Sequence, residues 1–482
     1  MNIRRFLSAS ALYGIGDMLV LAVGGFLLLP LYTRTLSQAA FADYLIVKVN
    51  AEILQYVLYF GLLSSVARIY FDYKAKGRQR EYLNSIVMFF VVVVLAAAVA
   101  LEFFGDAAWR RLAPQTASRP YIWYCLALAA ANFFAGIGSL WFRLDEQVKR
   151  FVTIQIVASA VTAIAAFVNL VVLKLGLNGL LLALILGYMP ASAALFYRIG
   201  GKLRPAIHRA YVIESVRFGL PFAMGYIAYF VVNRFNLLTL QHYVPLDQIA
   251  VFGLAQQIAT LITLLGASLG KAIQPIVYGA PEKDAQDLLR SSSNVYILLL
   301  FVVSAQVLMF AREIILVVGS RNYLNGYTAL LILLVGSFFY SLGFASNLAL
   351  LYHRRPQVLT VNSIAGAVIS AGLGIVLVPR YHLIGGAIAT SCAYLVMTAT
   401  SFILAYRLNR LSYFKLLILS GAAVCFLAVL SALLNLLDWG IGLLILLKLI
   451  LLSAVVIPVC FVAFPNGIRR LCSSLSGFLG TR

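Results

Sequence analysis

Acidic residues are scarce in this chain: 16 aspartates and glutamates among 482 residues, against 37 lysines and arginines. Charged residues of both signs reach only 11%, while 63% are hydrophobic; soluble domains carry about 25% charged residues. A water-soluble chain of this length would divide into several domains with polar surfaces, and there are too few charges here to cover them. The chain is therefore read as an integral membrane protein. Its five cysteines (Cys125, Cys392, Cys425, Cys460, Cys472) form no CxxC, and its four histidines share no metal or triad spacing, so neither a metal centre nor a disulfide framework is expected. No GxxxxGK[ST] loop is present, which excludes ATP hydrolysis through such a loop. The longest outer loop, near 105–120, holds a single aspartate, Asp106. With no sizeable polar domain for catalysis, the chain is not expected to be an enzyme.

What the sequence has in abundance is long apolar runs. About 20 apolar residues suffice for a helix to cross a bilayer. By that measure fourteen spans are expected, near 11–33, 41–68, 83–104, 121–142, 151–173, 177–197, 216–240, 247–275, 292–311, 326–350, 358–378, 383–406, 416–435 and 441–464. The runs are continuous rather than alternating, so they predict helices and not barrel strands. The opening MNIRRFLSASALYGIGD resembles a signal peptide. Its apolar stretch runs on into a second span, however, and reads as a retained first helix.

The loops distribute their basic residues unevenly. With the N-terminus in the cytoplasm, 23 of the 37 lysines and arginines fall in cytoplasmic segments, among them Lys74, Arg78, Arg143, Lys149, Arg198 and Lys202, and 8 on the other side. Both termini are therefore expected in the cytoplasm. The net charge of +21 then reports topology and attraction to anionic membrane lipids, and no nucleic acid partner is called for.

Two short patterns recur. LSQAAFADY (36–44) precedes the body of span two and VPLDQIAVF (244–252) that of span eight, at an offset of 208; LNGLLLA (177–183) and LIGGAIA (383–389) open spans six and twelve at an offset of 206. Spacing by six spans predicts a parallel duplication, with substrate between the halves. The expected organisation is an all-α membrane protein: a six-helix lobe over 1–197, a basic linker over 198–215, a second six-helix lobe over 216–406, and two appended helices with a tail over 407–482.

Six basic residues lie within or at the ends of spans: Lys48, Arg68, Arg217, Arg234, Lys271 and Lys448. Charge at bilayer depth is costly and normally faces a bundle interior or a watery cavity. Arg68, Arg217 and Lys271 lie near span ends, where long side chains can snorkel to the interface. Lys48 and Arg234 are too deep for that and are expected to face a cavity. Lys448 has no polar companion in sequence and is left as lipid-facing or structural. Span two also carries Glu52 and Gln55 beside Lys48 on one helical stripe, and Lys48 with Glu52 makes an i,i+4 pair that either contacts substrate or only stitches helices. Span seven presents Tyr226, Tyr229 and Asn233, and span eight presents Gln256 at the repeat position of Lys48. Amides and hydroxyls suit sugar hydroxyls, aromatic faces suit sugar rings, and cations suit a pyrophosphate. The buried carboxylates Asp17 and Glu52 are the candidates for H+ or Na+ coupling; no cofactor is expected.

The first hairpin resembles bacterial polysaccharide flippases, the O-antigen and exopolysaccharide branch of the multidrug/oligosaccharidyl-lipid/polysaccharide (MOP) exporter superfamily. The residues that carry the resemblance are Pro30-Leu31-Tyr32-Thr33-Arg34, the Leu36-Ser37 turn, Phe41 and Tyr44, then Arg68 with Tyr70 and Phe71, and later Gly385-Gly386. The resemblance implies a MATE-like fold in the bacterial inner membrane, with alternating access between two lobes. A polyprenyl-pyrophosphate-linked oligosaccharide would pass from the cytoplasmic to the periplasmic leaflet, with glycosyltransferases and a polymerase as pathway partners. It further implies a cationic cavity, which Lys48, Arg234 and Lys271 fit by residue type. The alternative is an ion-coupled small-molecule antiporter of the drug-exporter type, gated by Asp17 or Glu52.

Overall fold

A computed structural model describes residues 26–199, 206–278, 282–352, 357–409, 414–435 and 441–463. The described residues form helices and short connections, as they must in hydrocarbon, where every backbone polar group has to be satisfied within its own segment. In chain order the helices are α1 (Leu29–Thr35), α2 (Gln38–Tyr59), α3 (Leu62–Ala75), α4 (Gln79–Leu112), α5 (Tyr121–Leu144), α6 (Val148–Phe167) and α7 (Gly176–Ile199). They continue with α8 (Arg209–Leu240), α9 (Leu246–Tyr278), α10 (Glu282–Met309), α11 (Ala311–Val318), α12 (Tyr327–Tyr352), α13 (Gln357–Asn409), α14 (Phe414–Leu434) and α15 (Ile441–Ala463).

Twelve stretches among the described residues are long and apolar enough to cross a membrane. The first expected span lies mostly outside the described residues, and the eleventh and twelfth form one continuous stretch, Val358–Arg407. That stretch turns at His382, whose φ of 49° interrupts the helix. With those two adjustments the apolar runs and the helices agree. The fifth and sixth expected spans are separated where the sequence placed the break, at Lys174 and Gly176, both with positive φ. So both LNGLLLA and LIGGAIA follow a left-handed residue.

Expected span two is not one helix. It breaks between α2 and α3 at Phe60 (φ 48°) and Gly61 (φ 70°), a left-handed step that L side chains rarely adopt. The break lets two backbones meet: a Cβ on Gly61 would overlap the Gly219 carbonyl oxygen of α8, and one on Gly219 would lie 2.6 Å from the Phe60 carbonyl oxygen. Ser65 Oγ donates to the Ser215 carbonyl at 2.5 Å. Gly61 with Ser65, and Ser215 with Gly219, form facing small-xxx-small pairs, the arrangement that brings membrane helices to closest approach.

This contact closes the end of the bundle where Lys74, Asp145 and Arg198 lie, here termed the basic end. Tyr73 donates to Glu214 at 2.6 Å, and the Tyr82 and Ser215 hydroxyls are 2.9 Å apart. Other residues close the opposite end. Thr33 Oγ1 donates to the Val318 carbonyl at 2.6 Å, Arg34 Nη2 to that of Val317 at 3.1 Å and Gln38 Nε2 to that of Asn322 at 3.1 Å. Gln115 Nε2 bonds the carbonyls of Gln241 and Val244. Helices α5, α6 and α7 pack chiefly on one another, and α13 packs on both α8 and α12, with α2 against α8 and α9 between the two groups. The outward faces carry apolar side chains such as Val99, Phe103 and Val368, suited to acyl chains.

Lys448 takes the structural of the two roles that the sequence left open. It is fully buried, and its ammonium lies 2.7 and 2.9 Å from the two carboxylate oxygens of Glu313 on α11. It is not lipid-facing. The short helix α11, which the hydropathy reading counted as loop, brings the carboxylate to it and ties the last helix to the second half. Glu313→Gln is expected to strand a buried ammonium and cost about 3–5 kcal/mol, read as a lowered unfolding midpoint in detergent. The double variant Glu313→Leu/Lys448→Met should regain most of it; an unchanged midpoint for Glu313→Gln would show that the pair contributes nothing.

Candidate functional site

The site is built where α2 and α8 cross midway through the bundle. Glu52 lies 14 residues into α2 from Gln38, about 21 Å along the axis. The sequence pairs it by spacing with Lys48. The structure pairs it with Arg234 of α8: Nε lies 3.1 Å from Oε2 and Nη2 3.5 Å from Oε1. The guanidinium fork offers two donors in the plane of the carboxylate, a match that a flexible ammonium one turn away cannot equal. The side chains of Arg234 and Glu52 remain 22% and 21% exposed, so the pair is not sealed in packed core. Lys48 sits over the Tyr44 ring, its ammonium 5.9 Å from the centroid, and has no carboxylate partner among the described residues.

Aromatic groups surround the ion pair. Tyr56 stacks on Tyr226 with centroids 6.2 Å apart and meets Phe230 edge-on at 5.8 Å. Tyr229 shares the electrostatic surroundings of Glu52 and Arg234. Tyr226 and Tyr229 are 45% and 43% exposed, although both belong to a helix held on two sides. The Tyr226 hydroxyl lies 3.0 Å from Ser64 Oγ of α3.

Asn233 organises the side formed by the second half. Its Oδ1 accepts from the Tyr394 hydroxyl at 2.5 Å, its Nδ2 donates to the Tyr229 carbonyl at 2.7 Å, and its own carbonyl accepts from Gln256 Nε2. Gln256 Oε1 and both polar atoms of Gln257 are buried with no partner among the described residues, unusual for groups of this polarity. Gln55 accepts from Asn132 Nδ2 at 3.0 Å and so joins α2 to α5.

The expected residues thus divide. Glu52, Arg234, Tyr226 and Tyr229 converge; Asn233 and Gln256 bond each other beside them; Lys48 stands one turn away. Lys271 does not join this group: it is exposed, 15 residues beyond Gln256 on α9, or about 22 Å along the axis. Asp17 lies outside the described residues. Asp43 accepts from Thr116 Oγ1 at 2.7 Å near the opposite end. Asn236, a further member of the span-seven stripe, is spent on structure, donating to Ser370 and Thr390.

Sequence reading missed Tyr56, Tyr394, Asn132 and the Gly61–Gly219 contact. Tyr56 lies four residues beyond Glu52 and was legible by spacing. The facing small-residue pairs were present as patterns, but nothing in either pattern names its partner.

The arrangement is a paired charge, an uncompensated cation and a ring of phenols at mid-depth. It suits a ligand with an anionic group and a hydroxyl-rich or ring-shaped body.

The sequence pattern of the family described as "Polysaccharide biosynthesis protein" matches residues 9–278. No curated protein sequence matches. The fold is similar to the lipid II flippase MurJ in an inward closed conformation, at 13% identity and a TM-score of 0.72, covering 95% of this chain and 99% of that one. It is also similar to an inward-facing multidrug resistance MATE transporter of the MOP superfamily, at 17% identity and 0.62, covering 84% and 95%. A MOP superfamily transporter from Pyrococcus furiosus aligns at 17% identity and 0.54, covering 86% and 96%. The chain belongs to the polysaccharide biosynthesis protein family, and its fold is that of MurJ and the MATE transporters of the MOP superfamily.

Proposed function

We propose that the protein is a flippase for a polyprenyl-pyrophosphate-linked oligosaccharide, an O-antigen or exopolysaccharide repeat unit, carried from the cytoplasmic to the periplasmic leaflet of a bacterial inner membrane. The observation that carries this reading is the Glu52–Arg234 pair, which joins the first half of the chain to the second at mid-depth with Lys48 one turn away. The family and the fold, both those of transporters, support it. No catalytic step is assigned to the chain.

In this reading the lobes are 1–197 and 216–406, joined by the basic linker 198–215, and both termini face the cytoplasm. The basic end is then the cytoplasmic one. Without substrate, Glu52 neutralises Arg234 and holds its guanidinium in place. A pyrophosphate carries more charge than one carboxylate and more acceptors, so it can displace Glu52 and bridge Arg234 and Lys48. Sugar rings then lie along Tyr56, Tyr226 and Tyr229, whose faces and hydroxyls suit them. Loading requires α3 and α8 to part at Gly61 and Gly219 while the contacts at the opposite end hold. Release requires the reverse. The two ends use disjoint sets of contacts, so either can open without the other.

Three outcomes test the reading. A strain lacking the protein should accumulate lipid-linked glycan on the cytoplasmic side; normal surface glycan together with altered drug sensitivity would instead indicate the small-molecule antiporter. Lys48→Ala and Arg234→Ala, at normal protein levels, should each weaken transport by about 10- to 100-fold, the scale of one lost charge-assisted hydrogen bond (~1.5–3 kcal/mol). Intact transport in both would refute the cationic cavity. Finally, Gly219→Val should wedge α3 from α8, so that a cysteine at Tyr226 becomes labelled from the cytoplasmic side faster than in the parent; equal labelling would show that this contact is not a gate.

A further inference from the structure

A second cluster of charge lies outside the central site. A cleft of 620 Å³ opens at the basic end between the end of α3, the start of α4, the end of α5 and the end of α7, and Lys74, Arg80, Asp145 and Arg198 line it. Three cations face one carboxylate. Asp145 Oδ1 accepts from Lys74 Nζ at 2.7 Å and from the Tyr70 hydroxyl at 3.0 Å, and Oδ2 accepts from Arg198 Nη2 at 3.0 Å. Burial alone would raise its pKa, but these bonds and the charges of Lys74 and Arg198 hold it below the usual carboxylate range. Asp145 therefore stays ionised and fixes both cations in position.

The cationic side of the cleft is not satisfied from within. Arg198 sits over the rings of Trp141 and Phe142, its guanidinium carbon 4.9 and 4.7 Å from the two ring centroids. Its Nη1 is buried and has no acceptor among the described residues, so its other donor edge is the one that faces the cleft. Arg80 is exposed and has no ion-pair partner among the described residues. Helix α4 begins beside it, 34 residues long, with no side-chain cap on its first N–H groups; its positive end adds to the field. At the rim stands Tyr197, 86% exposed, an amphipathic ring of the kind found at headgroup level.

We propose that this cleft binds a phosphate group presented at the membrane surface, that of an anionic lipid headgroup, with Arg80 and Arg198 on the phosphate oxygens and Tyr197 at the boundary with the acyl chains. Planar guanidinium forks match phosphate oxygens, and basic pockets at helix ends on this side of a membrane hold anionic headgroups. The cleft's lining residues come from α3, α4, α5 and α7 and from the short turn after α5. A headgroup seated there would hold that group of helices against the leaflet while the rest of the bundle moves.

The test is native mass spectrometry of the full-length protein in detergent, with dioleoylphosphatidylglycerol or dioleoylphosphatidylcholine added. Phosphatidylglycerol should be retained about tenfold more strongly than phosphatidylcholine, the scale of one charge-assisted contact. Arg80→Gln should remove most of that preference. Arg198→Lys, which keeps a cation on Asp145, should do the same, and Arg321→Gln at the opposite end should leave it intact. Because Arg80 lies outside the Asp145 network, its substitution separates loss of the ligand from loss of the fold; an unchanged unfolding midpoint confirms this. Displacement of phosphatidylglycerol by millimolar inorganic phosphate would support the site and show that it also takes free phosphate. No displacement, with the variants still defective, would support a headgroup alone. Equal retention of the two lipids, or wild-type retention by both variants, would overturn the proposal.

Discussion

The bond between Glu52 and Arg234 is the constraint from which the middle of this molecule follows. An ionised side chain at bilayer depth requires a partner or water, and here each has both a counter-charge and a share of open surface. The partners come from α2 and α8, 182 positions apart in sequence, so satisfying one charge draws the two halves of the chain together. The tyrosines and amides around the pair are then positioned by the same crossing. In the proposed function a competing anion would act on the same bond that joins the halves.

The ends of the bundle are held by a different kind of interaction. At the basic end two backbones touch through glycine and serine, and at the opposite end side-chain donors reach carbonyl oxygens. Neither set includes a deep charge. Contacts of this sort are individually modest and exchangeable with water at the interface, whereas the mid-depth ion pair has no such substitute in lipid.

Much of the fold was legible because hydrocarbon imposes a simple rule: a run such as 83–104 has no alternative to a helix. The membership of the site was partly legible too, since Lys48, Glu52 and Arg234 are conspicuous among so few charges. Their pairing was not. Spacing along one helix favours Lys48 with Glu52, while the partner that wins arrives from another helix with a better-shaped donor. The step at Phe60 was hidden for a similar reason, because a left-handed phenylalanine is imposed by the approach of Gly219 and not by local preference. Lys448 appeared isolated only because Glu313 was taken for loop; the helix that carries it is eight residues long, too short for a hydropathy window to register.

The Lys448–Glu313 pair also bears on how the chain is made. Lys448 follows Glu313 by 135 positions, in a helix that is otherwise among the most apolar of those described. A lysine near mid-helix costs roughly 2.5–3.5 kcal/mol at insertion, which the leucine-rich flanks offset. The ammonium thus enters the bilayer before its bond to Glu313 exists, and Glu313 waits through the synthesis of four further apolar segments. A ribosome that stops before the Lys448 helix is made leaves a carboxylate in the membrane with no lysine to meet it.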